Sequence, residues 1–217
     1  ESMASSATEE VTNTNDEPTG TVTISGTAKE GEVLTASNTL VDDDGIGDIS
    51  YQWQRDDTDI SGATSTTYTL TQSDVGATVS VLASYTDAFA TVESMASSAT
   101  EEVTNTNDEP LVASAITDAT ATEDSAYSYD VSANFSDPDG DTLTFTATLS
   151  NGDDLPSWLS ISPTGTLSGT PANDDIGAID VKITATDSAS SSVSETFTLT
   201  VNNINDVPIL ISDLPVS

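Results

Sequence analysis

Histidine and cysteine are absent from this 217-residue sequence, and Lys29, Arg55 and Lys182 are its whole stock of basic side chains. Without imidazole or thiolate there is no Ser-His or Cys-His dyad, no nitrogen or sulfur metal site and no disulfide. Carboxylates, hydroxyls and a few amines are left for chemistry, and an enzyme is not expected. Three bases against 37 acids give a formal net charge of -34. No basic patch can meet phosphate, so nucleic acid and an anionic membrane surface are not expected as partners. No apolar run approaches the roughly 20 residues of a membrane span, so direct membrane insertion is not expected either. No signal peptide opens the chain, which reads as a segment excised from something longer.

What is present is polar and acidic. A hydrophobic share of 35% with 5% aromatics leans toward disorder, given the uncompensated charge. The charged share of 18% points the other way, since it lies below the roughly 25% usual for globular domains. The peculiarity is therefore one of sign, and such a chain needs its acids segregated onto surfaces or held by a cation. The length allows one domain, or two of about 100 residues each.

The segment ESMASSATEEVTNTNDEP stands at residues 1–18 and again, identically, at 93–110, an offset of 92 residues. A unit of that length is a whole domain and not a solenoid rung. NTNDEP at 105–110 is echoed by NINDVP at 203–208. The organisation expected is a last strand and exit linker of a preceding repeat at 1–18, one repeat at 19–110, a second at 111–208, and the start of another at 209–217. SDVGATVSVLASYTD (73–87) and DDIGAIDVKITATD (174–187) share landmarks in the same order, so the two repeats read as versions of one architecture.

Short alternating or β-branched runs separated by Gly, Asp and Asn clusters fill both repeats. The first offers strands at 21–25, 33–37, 49–54, 66–70, 78–85 and 99–103. The second offers them at 127–133, 143–149, 159–162, 178–186 and 196–201. No window carries a helical period. The fold class is all-β, two tandem Ig-like or cadherin-like Greek-key β-sandwiches joined by short acidic linkers. Core packing is favoured for Trp53 and Trp158, with a sugar-stacking platform as the alternative.

Strand parity maps the acids. If strand A descends from the entry linker, the B-C and F-G loops lie at the top of each sandwich and the A-B and E-F loops at the bottom. At the top of the first repeat fall Asp42, Asp44 and Asp87 beside Asn15 and Asp16. At the top of the second fall Asp137, Asp139, Asp141 and Asp187 beside Asn107 and Asp108. The bottom loops carry Glu30, Glu32 and Asp74, then Glu123 and Asp175 with the exit linker's Asn205 and Asp206. Carboxylates so gathered would repel and raise one another's pKa without a cation. Calcium, taking 6 to 8 oxygen ligands from carboxylates, Asn side chains and backbone carbonyls, fits this better than the stricter octahedron of magnesium. Asp56, Asp57, Asp59, Asp153 and Asp154 read as solvated turn residues. An EF-hand is excluded, because Thr142 and Thr148 stand where its Gly and Glu belong.

Through SDPDGDTLTF, LPSWLSISPTGTLSGTP, DIGAIDVKITATDSAS and VNNINDVP, residues 111–208 closely resemble bacterial cadherin-like domains of the dystroglycan type. Residues 19–110, through DDDGIGDISYQWQRD and ISGATSTTYTLTQSDVGATVSVLASYTD, resemble the Ig-like repeats of giant RTX-type bacterial surface adhesins. The resemblance implies secreted modules on the bacterial cell surface, made rigid by calcium and used as stalks or for contact with cells and surfaces. Carried over by motif, the cadherin calcium ligands correspond to Glu30 or Glu32, Asp74, Asn107 and Asp108, Asp137 and Asp139, and Asp187. The E-F Asp-Arg-Glu of cadherins is missing, with Asp74 or Asp175 in its place, and so are RTX nonapeptides. Neighbouring repeats of the same chain are the implied partners. Polysaccharide or another copy of the adhesin is the partner if a module binds a ligand itself.

Overall fold

Alternation of inward apolar and outward polar residues lays down two β-sandwiches, which the computed structural model describes for residue 3 and residues 5–206. The expected start of a further repeat at 209–217 lies outside the described residues. Contacts divide the chain into two units that part between Thr106 and Asn107.

In the first unit, β1 (Val22–Ser25), β2 (Val33–Asn38), β3 (Ser50–Arg55), β4 (Thr58–Asp59), β5 (Thr67–Thr69), β6 (Val79–Thr86) and β7 (Val92–Ala96) form two antiparallel sheets, β1-β2-β5 and β4-β3-β6-β7. Inward parity along β6 puts Val79, Val81, Ala83 and Tyr85 into the core, where they meet Leu34 and Ala36 of β2 from the facing sheet. Trp53 of β3 is 0% exposed and its indole donates to the Ser65 carbonyl at 2.9 Å. It is a core residue whose polar edge is satisfied.

The strand expected at 99–103 is displaced. β7 occupies Val92–Ala96, and the chain then follows β6 irregularly, with the Ser97 and Thr100 N–H groups donating to the Val81 and Val79 carbonyls, each at 2.9 Å. In return the Val81 and Val79 N–H groups donate to Ser97 Oγ (3.1 Å) and Thr100 Oγ1 (3.0 Å). Hydroxyls thus replace backbone acceptors, which breaks the ladder without leaving donors unpaired. Val103 then returns to the core and bridges Val75.

The second unit contains β8 (Leu111–Val112), β9 (Ala119–Thr122), β10 (Tyr127–Asp130), β11 (Phe135–Ser136), β12 (Thr144–Leu149), β13 (Leu159–Ile161), β14 (Thr166–Gly169), β15 (Gly177–Thr186) and β16 (Ser192–Asn202). Its sheets are β10-β14-β13, β12-β15-β16-β9 and the small pair β11-β8, with β9 running parallel to β16. Val181, Ile183 and Ala185 of β15 and Phe197, Leu199 and Val201 of β16 supply the core. The strand expected at 127–133 stops at Asp130, whose Oδ1 accepts the Ser132 N–H at 2.9 Å and turns the chain into a short 3-10 segment. Trp158 packs partly buried against this core, edge-on to Tyr127. Gly169 is required beside it, since a Cβ there would lie 1.8 Å from the Trp158 carbonyl oxygen.

Candidate metal centres

Both sandwiches present a linker laced into acidic loops by their own backbone and amide donors. At the top of the first unit, the Asp16 N–H donates to Asp44 Oδ2 at 2.7 Å and Asn13 Nδ2 donates to Asp44 Oδ1 at 2.8 Å. Asp44 is buried, and its own N–H donates to Asp42 Oδ1 at 2.8 Å. The Tyr85 hydroxyl holds Asp42 Oδ2. Burial first, and then this carboxylate, push the Tyr85 phenol far above its ordinary value, so it remains a proton donor. Asn15 Nδ2 reaches Glu93 Oε1 at 2.8 Å. Asp87 is buried in the F-G turn, where Oδ1 takes the Phe89 and Thr91 N–H groups and Oδ2 has no donor.

The second unit repeats the device with its own residues. The Asp108 N–H donates to Asp139 Oδ2 at 2.8 Å, and Asn107 Nδ2 donates to Asp187 Oδ2 at 3.0 Å. Asp137 Oδ1 accepts the N–H groups of Asp139 (2.9 Å) and Asp141 (3.2 Å). Ser188 Oγ bonds Asp141 Oδ2. Carboxylate oxygens of Asp108 and Asp139 come within 4.8 Å of each other, while Asp137 Oδ2 and Asp139 Oδ1 are buried without any donor. The Asn107 hydrogen bond holds the Asp187 carboxyl below the ordinary value, helped by the Ser191 N–H.

At the other ends, glutamates meet the exit linkers. Glu30 Oε2 accepts the Thr106 N–H at 3.2 Å. Glu123 is 1% exposed; its Oε1 accepts Asn203 Nδ2 at 2.8 Å and the Ile204 N–H at 2.6 Å, and its Oε2 is buried with no donor. Asp206 Oδ2 takes Asn173 Nδ2 at 2.9 Å, and Asn205 lies exposed beside it in the linker. Asp175 Oδ2 is engaged by the Ala172 N–H at 2.8 Å, and Glu32 is exposed.

Asp74 is placed otherwise than the motif comparison implies. It is 0% exposed and forms an ion pair with Arg55 at 2.7 Å. Its oxygens also accept from the Tyr68 hydroxyl, the Thr71 hydroxyl and the Thr71 N–H. Burial works against its ionisation, but those donors together outweigh it and hold the carboxyl below its ordinary value. Every lone pair it could offer a cation already has a partner, so Asp74 pins the E-F turn to β3.

Two acids escaped the sequence reading. Glu93 is buried one residue after the exposed Val92, an inversion of strand parity that could have marked it. Glu195 stands on the inward row of β16 with Val193, Phe197, Leu199 and Val201, and its Oε2 is buried without a donor.

A buried carboxylate oxygen without a donor is costly, more so when charged. Asp87 Oδ2, Asp137 Oδ2, Asp139 Oδ1 and Glu123 Oε2 are four such atoms beside linkers, in a chain with three basic side chains. They suit a hard divalent cation that takes oxygen ligands. Tyr85→Phe tests how far the hydrogen bonds alone organise the first unit's loops. The substitution should cost about 1.5–3 kcal/mol, the value of a hydrogen bond to a charged group, in urea unfolding with chelator present.

The sandwich that holds this second acidic end has a recognisable sequence. Residues 109–202 match the family "Putative Ig domain". Nothing among curated proteins matches the chain. Solved structures similar to it include protocadherin gamma B2 cadherin domains 3-6, at 14% identity and TM-score 0.48, covering 93% of this chain and 55% of that one. The insect immune protein hemolin is similar at 15% identity and TM-score 0.38, covering 91% and 53%. An endo-fucoidan hydrolase of glycoside hydrolase family 107 is similar at 18% identity and TM-score 0.40, covering 87% and 27%. The chain thus spans about a quarter to about half of the length of these proteins. The second unit is an Ig-like sandwich, and among the described residues no helix is long and apolar enough to cross a membrane.

Proposed function

We propose that this chain is a repeat segment of a long, secreted bacterial surface adhesin of the RTX type, and that calcium fixes each linker to its sandwich so that the segment acts as a rigid extender. The observation that carries this reading is the set of buried carboxylate oxygens without donors at Asp87, Asp137, Asp139 and Glu123. Asp108, Asp137, Asp139 and Asp187 would hold the ion at the top of the second unit, with Asn107 orienting Asp187. Glu123 with Asn205 and Asp206 would serve its exit linker, and Asp42, Asp44, Asp87 and Asp16 the top of the first unit. Bound calcium supplies positive charge that cancels carboxylate repulsion and completes lone pairs the protein leaves open. The chain's own donors, the Asp16 and Asp108 N–H groups above all, set the register of the linker on the loops. The same reading makes the chain non-catalytic.

Isothermal titration of the metal-free protein with calcium and with magnesium tests it. Heat from calcium that magnesium reproduces only weakly is expected, together with a smaller scattering-derived spread of dimensions once calcium is bound. No heat, with dimensions unchanged by chelation, overturns the reading.

A second reading makes a module itself the ligand binder, for polysaccharide or for another adhesin copy. It is favoured by an open groove of about 650 Å³ in the first unit, between residues 22–28 and 98–104, whose lining mixes Val22, Ile24 and Ala99 with Thr23, Thr100 and Thr104. Signals on a glycan array that disappear when Thr23 and Glu101 are replaced, with melting unchanged, would establish it.

A further inference from the structure

The two sandwiches treat the side between their first and last strands differently. In the second unit β9 pairs directly with β16, from Leu199↔Ala119 to Asn202↔Thr122, and closes that side. In the first unit β1 ends its sheet, β1-β2-β5, and among the described residues no strand lies on its outer edge. Gly26 lets the chain leave that sheet: its φ is +127°, and a Cβ there would stand 2.6 Å from the Val33 carbonyl oxygen. The chain then joins the last segment, where the Thr104 N–H donates to the Ala28 carbonyl and the Glu30 N–H to the Thr104 carbonyl, each at 3.0 Å. Between the two diverging backbones lies the open groove of about 650 Å³.

The wall formed by β1 is a row of open backbone groups. The Thr39 N–H donates to the Thr21 carbonyl, and Thr19 and Val41 exchange both of their bonds, so odd-numbered residues of this run face β2 with their backbone groups. Antiparallel alternation then turns the N–H and C=O groups of Val22 and Ile24 toward the groove. Their side chains lie against the core. The usual guards of a sheet edge, lysine and proline, are absent from residues 19–28. Charge stands across the groove instead: the exposed Glu101 and Glu102 are the charged residues among those that line it. We propose that this groove binds an extended polypeptide segment carrying lysine or arginine, which adds to the open edge of β1 as a further strand.

The lining selects among occupants. A pyranose ring would find no aromatic face to stack on, because no aromatic side chain lines the groove. A second copy of this chain would bring acids to acids, since it holds three bases against 37 acids and Arg55 is already paired with Asp74. A basic strand meets both features at once. Its main chain bonds the Val22 and Ile24 edge, and its cationic side chains meet Glu101 and Glu102. Residues 22–28, fully extended, would span about 20 Å, which a strand of six or seven residues matches. The proposal rests on the reading in which a module itself binds a ligand, and it fixes the class of that ligand. Calcium has no part in it.

The test uses the full chain in chelator and a fluorescein-labelled probe peptide, Lys-Val-Thr-Val-Thr-Val-Lys. Anisotropy is expected to saturate as the protein is raised to about 1 mM. The same peptide with glutamate at both ends, and the lysine peptide N-methylated throughout its backbone, are expected not to bind. Glu101→Lys with Glu102→Lys is expected to weaken binding about tenfold, as is raising salt from about 0.05 to 0.5 M on the wild type. Melting of the double variant is measured alongside, and the salt and N-methyl arms need no variant at all. Amide exchange followed by NMR locates the strand. In the free protein the Val22 and Ile24 amides should exchange fast, and those of Thr23 and Ser25, bonded to β2, slowly; the probe is expected to slow Val22 and Ile24 at least about tenfold. No saturation, binding that leaves Val22 and Ile24 exchange unchanged, or equal binding of the acidic peptide overturns the proposal. Groove-dependent glycan signals without peptide binding also overturn it but leave the ligand-binding reading standing, and the absence of both signals removes the two together.

Discussion

Glu123→Gln is expected to change the sign of its effect with calcium. In chelator the substitution removes a buried charge, while the amide oxygen can still accept from Asn203 and Ile204, so the second unit should melt at or above the wild-type temperature. With free calcium at about one hundred times Kd, a wild-type site that binds only the folded state adds about 2.7 kcal/mol. At about 4–8 °C per kcal/mol for a unit of this size, that is on the order of 10–20 °C. The variant should lose most of that increment, because a neutral amide replaces the carboxylate whose Oε2 has no donor of its own. Calorimetric melting of both proteins in chelator and in calcium gives the four temperatures required. A Gln variant that loses stability equally in both buffers would assign Glu123 a purely structural role.

Arg55→Ala has the second large effect, and it falls on the first unit. The side chain of Arg55 is 32% exposed while Asp74 is 0% exposed, so the substitution leaves a carboxylate buried with its hydroxyl and backbone donors but without its counter-charge. Breaking a buried pair this way costs about 3–5 kcal/mol, and the partial exposure of Arg55 puts the expectation near the lower end. The pH dependence fixes the interpretation. In wild type the folded pKa of Asp74 lies below the ordinary 3.8. Its stabilisation is therefore present above that value and is lost as the pH falls through the depressed folded value. Without the guanidinium the burial that opposes ionisation gains weight, and protonation relieves it. The cost of Arg55→Ala should thus shrink below about pH 4. Urea unfolding at pH 7 and pH 3, with Trp158 replaced by Phe so that Trp53 alone reports, would measure it; a cost that grows in acid would contradict this account.

Much of the sandwich architecture is written in local pattern. The inward rows of β6 and β15, the buried Trp53 and the acidic loop triplets all follow from parity and residue type, which sequence displays directly. The convergence of Asn107 on Asp187 and of Asp108 on Asp139 follows from the same parity, because it fixes which loops share an end. What sequence conceals is the use of a carboxylate. Asp74 and Asp87 occupy similar loops, yet one meets the guanidinium of a residue nineteen positions away and the other keeps an oxygen free. The local Thr71-x-x-Asp74 capping pattern accounts for part of the difference, but nothing local shows that a guanidinium reaches Asp74. The path of residues 97–104 was hidden for a related reason, since hydroxyls of Ser97 and Thr100 do the work that backbone carbonyls do in a regular ladder. Short strands such as β9, four residues of Ala and Thr, carry too little apolar contrast to announce themselves and form because β16 offers an edge.

That parallel pairing of β9 with β16, in register from Leu199↔Ala119 to Asn202↔Thr122, bears on how the second unit carries tension. A pull transmitted between β9 and the C-terminal strand β16 slides two parallel neighbours past each other, loading their hydrogen bonds together rather than peeling them one at a time. In the first unit the parallel contacts of the last segment are, among the described residues, the two isolated bridges Lys29↔Thr104 and Val75↔Val103. Under a shared load the second unit is the strong link and the first the one that gives, so extension of the segment begins in the unit whose last strand has an identical copy in the same chain.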